Sequence, residues 1–85
     1  MENNITIDEY KKKLKNSIKY YIRGKKNNSI ELLQKSLLSL NNLKNFKKYE
    51  EYNDIISQTE SECSRYLKEN LDKQIDLFKL ISNGN

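Results

Sequence analysis

The chain has 85 residues, with a single cysteine and no histidine, proline or valine. This length accommodates one small domain with a thin core and excludes a large enclosed active-site cavity. The net charge of +4 is unevenly distributed, because residues 1–48 carry +8 and residues 49–85 carry −4. A basic half and an acidic half favour a polyanion-binding face or pairing between the halves, although an A/T-rich coding sequence would also enrich lysine and asparagine.

The residue pattern predicts an all-α protein. With no proline and two glycines, little interrupts long helices, and no segment sustains the alternation of a strand. We expect a single helical domain over residues 1–85, folded as an antiparallel three-helix bundle, with a frayed stretch at residues 1–4. The three helices are predicted at about residues 7–23, 29–43 and 47–82.

The first predicted helix begins with a capping box. The hydroxyl of Thr6 is expected to accept from the amide of Glu9, while the Glu9 carboxylate reaches back to the Thr6 backbone. Ile5 and Tyr10 occupy the staple positions on either side of this cap. Beyond it, apolar residues recur at steps of three and four, which predicts one buried face. These residues are Ile7, Tyr10, Leu14, Ile18 (or Ser17), Tyr21 and Ile22.

A hairpin turn follows, and the rest of the chain can be placed relative to it. Gly24 is expected to end the first helix in the left-handed conformation, and Asn28 or Ser29 to cap the second. Because this turn is short, the two helices must run antiparallel. Ser29 and Ser36 are small residues on one side of the second helix, where a neighbouring helix can approach closely. The apolar face of the second helix comprises Ile30, Leu32, Leu33, Leu37, Leu40 and Leu43.

The third predicted helix would span roughly 50–55 Å, about twice the length of the first. We expect either a break near Gln58–Ser64, which is rich in serine, threonine and glutamate, or an unbroken helix whose far end packs on a second chain. A homodimer through this helix therefore stays open. The residues that a monomer would expose are Leu71, Ile75, Phe78 and Ile81.

Nothing in the sequence predicts an enzyme, a cofactor or a metal site. The absence of histidine removes the commonest general base and metal ligand, and one cysteine cannot build a zinc site. The acidic run from Glu50 to Glu62 lacks the glycine turn of a calcium loop, so it predicts a solvated face or a patch that pairs with lysines of the first helix. Cys63 lies on the apolar face and is expected to be a small buried hydrophobe.

A cytoplasmic location is expected. The lone cysteine cannot form an internal disulfide. No apolar run approaches the ~20 residues that cross a bilayer, and the N-terminal stretch lacks an apolar signal core. We therefore expect no membrane insertion.

The hairpin resembles a known helical module. Tyr20, Gly24, Ser29, Leu33 and Ser36 follow the Tyr, Gly, Ala, aromatic, Ala pattern of a tetratricopeptide-like hairpin, with serine at both alanine positions. One such hairpin followed by one long helix resembles an MIT domain. That domain is the three-helix module of ESCRT-disassembling, spastin and katanin-type (microtubule-severing) AAA ATPases.

The resemblance to the MIT domain covers roughly residues 7–75. It includes Cys63–Leu67, which is similar to the Tyr-Leu stretch of the third MIT helix. The chain departs from the family at Lys68, where an acidic residue usually contacts an arginine of the bound tail. The resemblance implies a protein-binding module that takes a helical or extended tail segment along its third helix. The residues expected to bind this partner are Leu33, Leu40, Tyr66, Leu67 and Leu71.

Two other functions stay open. A small nucleic-acid-binding regulator would use a basic patch on the first helix, with affinity that falls as salt rises. A stand-alone inhibitor from a virus or mobile element would instead present the acidic stretch from Glu50 to Glu62 to a basic site on an enzyme. The basic patch consists of Lys11, Lys12, Lys15, Lys19, Arg23, Lys25 and Lys26.

Overall fold

Residues 5–83 are described by a computed structural model, and they fold into an all-α three-helix bundle. This architecture confirms the predicted fold class. The predicted fraying of residues 1–4 lies outside the described residues. The elements in chain order are α1 (Ile7–Asn27), α2 (Ile30–Leu43), a 3-10 helix (Lys47–Tyr52) and α3 (Asn53–Asn83).

The start of α1 forms the predicted capping box. The Glu9 amide donates to the Thr6 hydroxyl at 3.1 Å, and the Thr6 amide donates to the Glu9 carboxylate at 3.0 Å. Ile5 packs against the core beside the fully buried Tyr10. The Tyr49 hydroxyl donates to the Ile5 carbonyl at 2.6 Å, so the segment before α1 is also held by the 3-10 helix.

The end of α1 differs from the prediction. Gly24 was expected to be the left-handed cap, but it lies inside α1, which continues to Asn27. Asn28 takes the left-handed conformation instead, with φ 53° and ψ 41°. Lysines at positions 25 and 26 are good helix formers, and asparagine tolerates this conformation better than most residues. Gly24 instead allows α1 and α2 to approach closely, because a Cβ there would lie 2.8 Å from Leu33 Cγ.

A seam of serines joins α1 to α2. Ser17 and Ser36 are both fully buried, and the Ser36 hydroxyl donates to the Ser17 carbonyl at 2.8 Å. The Ser17 hydroxyl donates to the Lys13 carbonyl and also contacts the Ser39 hydroxyl. These small side chains let the two backbones approach while each buried hydroxyl keeps a partner. Ser29 caps α2 as expected, accepting from the Leu32 amide at 3.2 Å.

The core consists of two clusters placed along the bundle. One lies where α1 begins and α2 ends, and there the Tyr10 ring packs against Tyr49 at a centroid distance of 4.6 Å. The other lies near the hairpin turn. The first cluster comprises Tyr10, Leu14, Leu40, Leu43, Tyr49 and Ile56. The second comprises Tyr21, Leu33 and Cys63.

The third helix is unbroken across Gln58–Ser64, where a break was one of two predicted outcomes. The interruption occurs earlier, at Tyr49, whose φ of −116° and ψ of 30° lie outside the helical region. The Thr59 hydroxyl donates to the Ile55 carbonyl at 2.8 Å, so it is satisfied within the helix. Buried Ile56 and Cys63 hold both ends of this stretch against the core.

The last part of α3 runs beyond the bundle. Every residue from 71 to 82 is exposed, and we call this segment the α3 extension. The whole described chain measures 57 × 22 × 18 Å, and this elongation comes from α3, which has 31 residues against 14 in α2. Within residues 5–83, none of the helices has the length and apolarity that crossing a bilayer requires.

Candidate protein-interaction surface

The α3 extension carries large apolar side chains that are exposed in the structure of residues 5–83. Leu71 is 39% exposed, Ile75 51%, Phe78 72% and Ile81 74%. These are the four residues that the sequence pattern marked as exposed in a monomer. Leu77 and Leu80 are also exposed and were missed, because they fall outside the single face that the periodicity selected.

Three of these residues form a continuous line, which we call the apolar stripe. Leu71, Ile75 and Phe78 follow one another at steps of four and three, so they occupy one face of the helix. Together they line a shallow surface groove with Gln74 and Lys79 at its edges. A contiguous apolar patch on an exposed helix is the usual mark of a binding surface.

The two predicted binding residues just before the extension are half-buried. Tyr66 and Leu67 pack against the second core cluster. The Tyr66 ring is flanked by two cations, with Lys25 Nζ at 4.8 Å and Arg65 Cζ at 5.0 Å from its centroid. Both cations would compete with a partner for contact with this ring. Tyr66 is therefore less accessible than the apolar stripe.

Leu33 and Leu40 are not part of the surface. Both are fully buried, Leu33 in the second core cluster and Leu40 in the first. The sequence-based assignment of these two residues to partner binding therefore needs correction. Their spacing on α2 marks a face that packs on α1 and α3, and periodicity alone does not separate a core face from a binding face.

Two residues of the acidic run, Glu60 and Glu62, contact other helices through an ion pair and a hydrogen bond. The Tyr21 hydroxyl donates to Glu62 Oε1 at 3.0 Å, and burial, followed by this bond, raises the pKa of Tyr21 to about 12. Lys44 pairs with Glu60 at 2.8 Å. The expected pairing with lysines of α1 is not found among residues 5–83. Glu62 instead meets a tyrosine of α1, and Glu60 meets the C-terminal cap of α2. Residues 50, 51 and 54 are exposed, as the prediction of a solvated face requires.

The basic patch of α1 lies opposite the core. Residues 12, 15, 19, 23 and 26 lie on the face opposite buried Tyr10, Ser17 and Tyr21, residue 11 lies at the edge of that face, and all six are exposed. No ion pair involves them in the part of the chain that the structure describes. Lys25 is an exception to the predicted patch, because its ammonium lies over Tyr66 instead.

Cys63 lies in the core, as the sequence pattern predicts. It is fully buried, and its thiol donates to the Leu33 carbonyl at 3.2 Å. Burial raises the pKa of the Cys63 thiol, which favours the unreactive protonated form. Between residues 5 and 83, histidine, cysteine, aspartate and glutamate side chains form no group of three that could hold a metal ion.

No protein-family model, curated protein or solved structure matches this chain. Its function must therefore be inferred from its own surfaces. Two of them stand out, the apolar stripe on the α3 extension and the basic face of α1. Both present side chains suited to binding, the first to an apolar helix and the second to a polyanion.

Proposed function

We propose that this protein is a non-catalytic protein-interaction domain that binds a helical segment of another polypeptide along α3. The observation that carries the proposal is the apolar stripe of Leu71, Ile75 and Phe78, all of which are exposed in the described part of the chain. An amphipathic helix laid along this stripe would bury apolar side chains on both sides, at about 25 cal/mol for each Å² removed from water.

The start of the binding surface follows from the packing of α3. Half-buried Leu67 packs against the second core cluster one helical turn before Leu71, so the bundle supports the base of the stripe. Binding then requires little ordering of α3 itself, which lowers the entropy cost of association. Charged residues beside the stripe, such as Lys79, would set the register of the bound helix.

A tail helix of the kind that MIT domains bind is the partner class that the sequence resemblance implies. The order of a helical hairpin followed by one long helix supports this part of the proposal. Lys68 stands where that family usually has an acidic residue, so we expect a tail without the usual arginine at the matching position.

The test is an amide NMR titration of the labelled protein with an amphipathic tail helix of the ESCRT-III type. We expect shifts concentrated on Leu67 to Phe78. Phe78→Glu should abolish them, because it places a charge within the stripe. Leu80→Glu is the matched control, since Leu80 is equally exposed but lies on the opposite side of α3. Shifts that survive Phe78→Glu, or no shifts with any amphipathic helix, would refute the proposal.

Polyanion binding by α1 is a second candidate, favoured by the exposed basic face opposite the core. It predicts that affinity for a short nucleic acid duplex falls steeply with salt, because each phosphate contact releases counterions. Changing Lys11, Lys15 and Lys19 together to glutamine should reduce the salt dependence. The matched control changes Lys68, Lys73 and Lys79 on α3 to glutamine. Equal effects of the two triple variants would contradict a specific role for α1.

A further inference from the structure

We propose that the helix covering the apolar stripe is the α3 extension of a second copy of this chain, lying antiparallel. This inference rests on the proposed function, because it names the helical segment that α3 binds. It depends on three properties of the extension: the spacing of its apolar residues, its length, and the placement of two opposite charges.

The apolar stripe of one copy is complementary to the stripe of a second copy that runs antiparallel to it. If the two helices are centred between Asp76 and Leu77, Ile75 of one copy lies level with Phe78 of the other. Leu71 then lies beside Ile81 of the second copy. The bulkiest side chain of the stripe thus meets a smaller one at each level, as interlocking helices require. A parallel pair would instead place the two Phe78 rings at the same height.

The length of the extension fits the same arrangement. It begins at Leu71, immediately after the last buried residue of α3, Asn70. Its roughly 18 Å are therefore the full length of α3 that is free to receive a partner. A second extension running the other way covers this length from end to end. Each stripe residue then lies within the overlap.

Charge complementarity favours the antiparallel orientation. Asp72 and Lys79 are two helical turns apart on the same edge of the stripe, and Lys79 borders the groove directly. In the antiparallel pair, Asp72 of one copy faces Lys79 of the other, and two-fold symmetry repeats this contact. A parallel pair would place Lys79 near Gln74 and form neither ion pair.

The size of the contact predicts a reversible dimer. A helix pair about 18 Å long buries less than the roughly 1,200–2,000 Å² of a stable protein interface. Sedimentation equilibrium of the full chain should therefore show the mass of one chain at low micromolar concentration and an approach to two at millimolar. A single-chain mass at millimolar concentration would overturn the dimer.

Charge reversal tests the orientation. Asp72→Lys and Lys79→Asp should each weaken the dimer by about tenfold at low salt, because two attractions become repulsions. The double variant should recover the original dissociation constant with the charges exchanged. Lys73→Asp and Asp76→Lys are matched controls that make the same charge changes away from the stripe. A double variant that is weaker than either single one would overturn the proposed pairing.

Cross-linking gives an independent readout. Leu71→Cys and Ser82→Cys lie at opposite ends of the extension, and the native Cys63 is buried and does not compete. On oxidation of a mixture, the antiparallel pair gives the disulfide between the two different variants. Disulfides within each variant alone would indicate a parallel pair and overturn the orientation.

Failure of the dimer and failure of the proposed function give different results. If the chain stays monomeric but the amphipathic tail helix still shifts Leu71 to Phe78, the second copy is excluded and the helix-binding function remains. If neither the second copy nor the tail helix engages the stripe, both are excluded. If the chain dimerises and Phe78→Glu leaves dimerisation unchanged, the stripe is not the dimer interface.

Discussion

Gly24 shows how one residue sets the separation of two helices. Its backbone lies inside α1 and faces Leu33 of α2, so that an added Cβ would lie 2.8 and 2.9 Å from Leu33 side-chain atoms and 3.0 Å from the Leu33 amide nitrogen. Part of this contact is with backbone, which cannot rotate away. Only glycine at this position therefore allows α1 and α2 to pack this closely.

Gly24→Ala should lower the free energy of unfolding by about 1–3 kcal/mol, the cost of overpacking. This loss should exceed the gain of about 1 kcal/mol that alanine brings to a helix interior. Urea unfolding followed by circular dichroism measures the change. Lys12→Ala, on the exposed face of α1, serves as the control and should have little effect. A stabilised Gly24→Ala variant would mean that helix propensity outweighs contact here.

Two buried tyrosines of α1 should respond oppositely to loss of the hydroxyl. The Tyr21 hydroxyl donates to Glu62, whereas the buried Tyr10 hydroxyl has no hydrogen-bond partner among residues 5–83. Tyr21→Phe should destabilise by about 1 kcal/mol, and Tyr10→Phe should be neutral or stabilising, because it removes an unsatisfied buried group. Chemical denaturation of both variants tests this, and a larger loss for Tyr10→Phe would contradict it.

The raised pKa of Tyr21 predicts a loss of stability in alkali. The folded pKa is about 12, against about 10 for a tyrosine in the unfolded chain. The unfolded state therefore releases its proton first, so this contribution is complete below about pH 10 and is lost as pH rises towards 12. Tyr21→Phe should show a smaller fall in unfolding free energy over that range. Equal slopes for the two proteins would contradict the assignment.

At the scale of elements, the capping box fixes where α1 starts. Thr6 and Glu9 satisfy each other's backbone amides although both are exposed, so the cap acts through local hydrogen bonds and not through burial. Such a cap is encoded locally, and it can be read from the sequence alone. The start of α2 at Ser29 also uses a local hydrogen bond, in which the Leu32 amide donates to the Ser29 hydroxyl without a reciprocal bond.

Thr6→Ala should cost about 1 kcal/mol of unfolding free energy, because the Glu9 amide loses its acceptor. Thermal and urea unfolding measure this loss. Thr59→Ala is the matched control, since the Thr59 hydroxyl donates only to a carbonyl within its own helix. We expect that control to be close to neutral. A Thr6→Ala variant as stable as the control would show that the capping box contributes nothing.

For the whole molecule, the structure separates a folded bundle from an unsupported helix. The core ends near Leu67 and Asn70, and every residue from 71 to 82 is exposed. Stability and binding therefore reside in different parts of one chain. The bundle holds the base of α3, and the extension presents the apolar stripe.

A chain shortened to residues 1–71 should keep the fold. Its unfolding free energy should change by less than about 1 kcal/mol, because residues 72–82, which the deletion removes, are all exposed. The same deletion should abolish both self-association and tail-helix binding. Unfolding monitored by circular dichroism and sedimentation together test the two statements. Loss of cooperative unfolding would show that the extension packs on the bundle in solution.

The sequence alone determined the helical class, the start of the first helix and most of the core. Capping residues act on amides three positions away and apolar periodicity marks the core face in outline, so Thr6, Tyr21 and Cys63 could be placed without coordinates. The pattern left the α2 cap open between Asn28 and Ser29, and it put Ile7 and Ile22 on the buried face of α1, although they are 39% and 55% exposed. The exposed residues of the α3 extension were also marked, because a helix of this length has more apolar residues than two shorter helices can cover.

Only the tertiary structure decided which apolar face is core and which is surface. Leu33 and Leu40 have the same spacing as a binding face, but neighbouring helices bury them. The role of Gly24 likewise depends on the approach of Leu33, a residue of another helix, and no local pattern contains that distance. These features depend on what packs against a residue from elsewhere in the chain, and periodicity within one helix does not specify that neighbour.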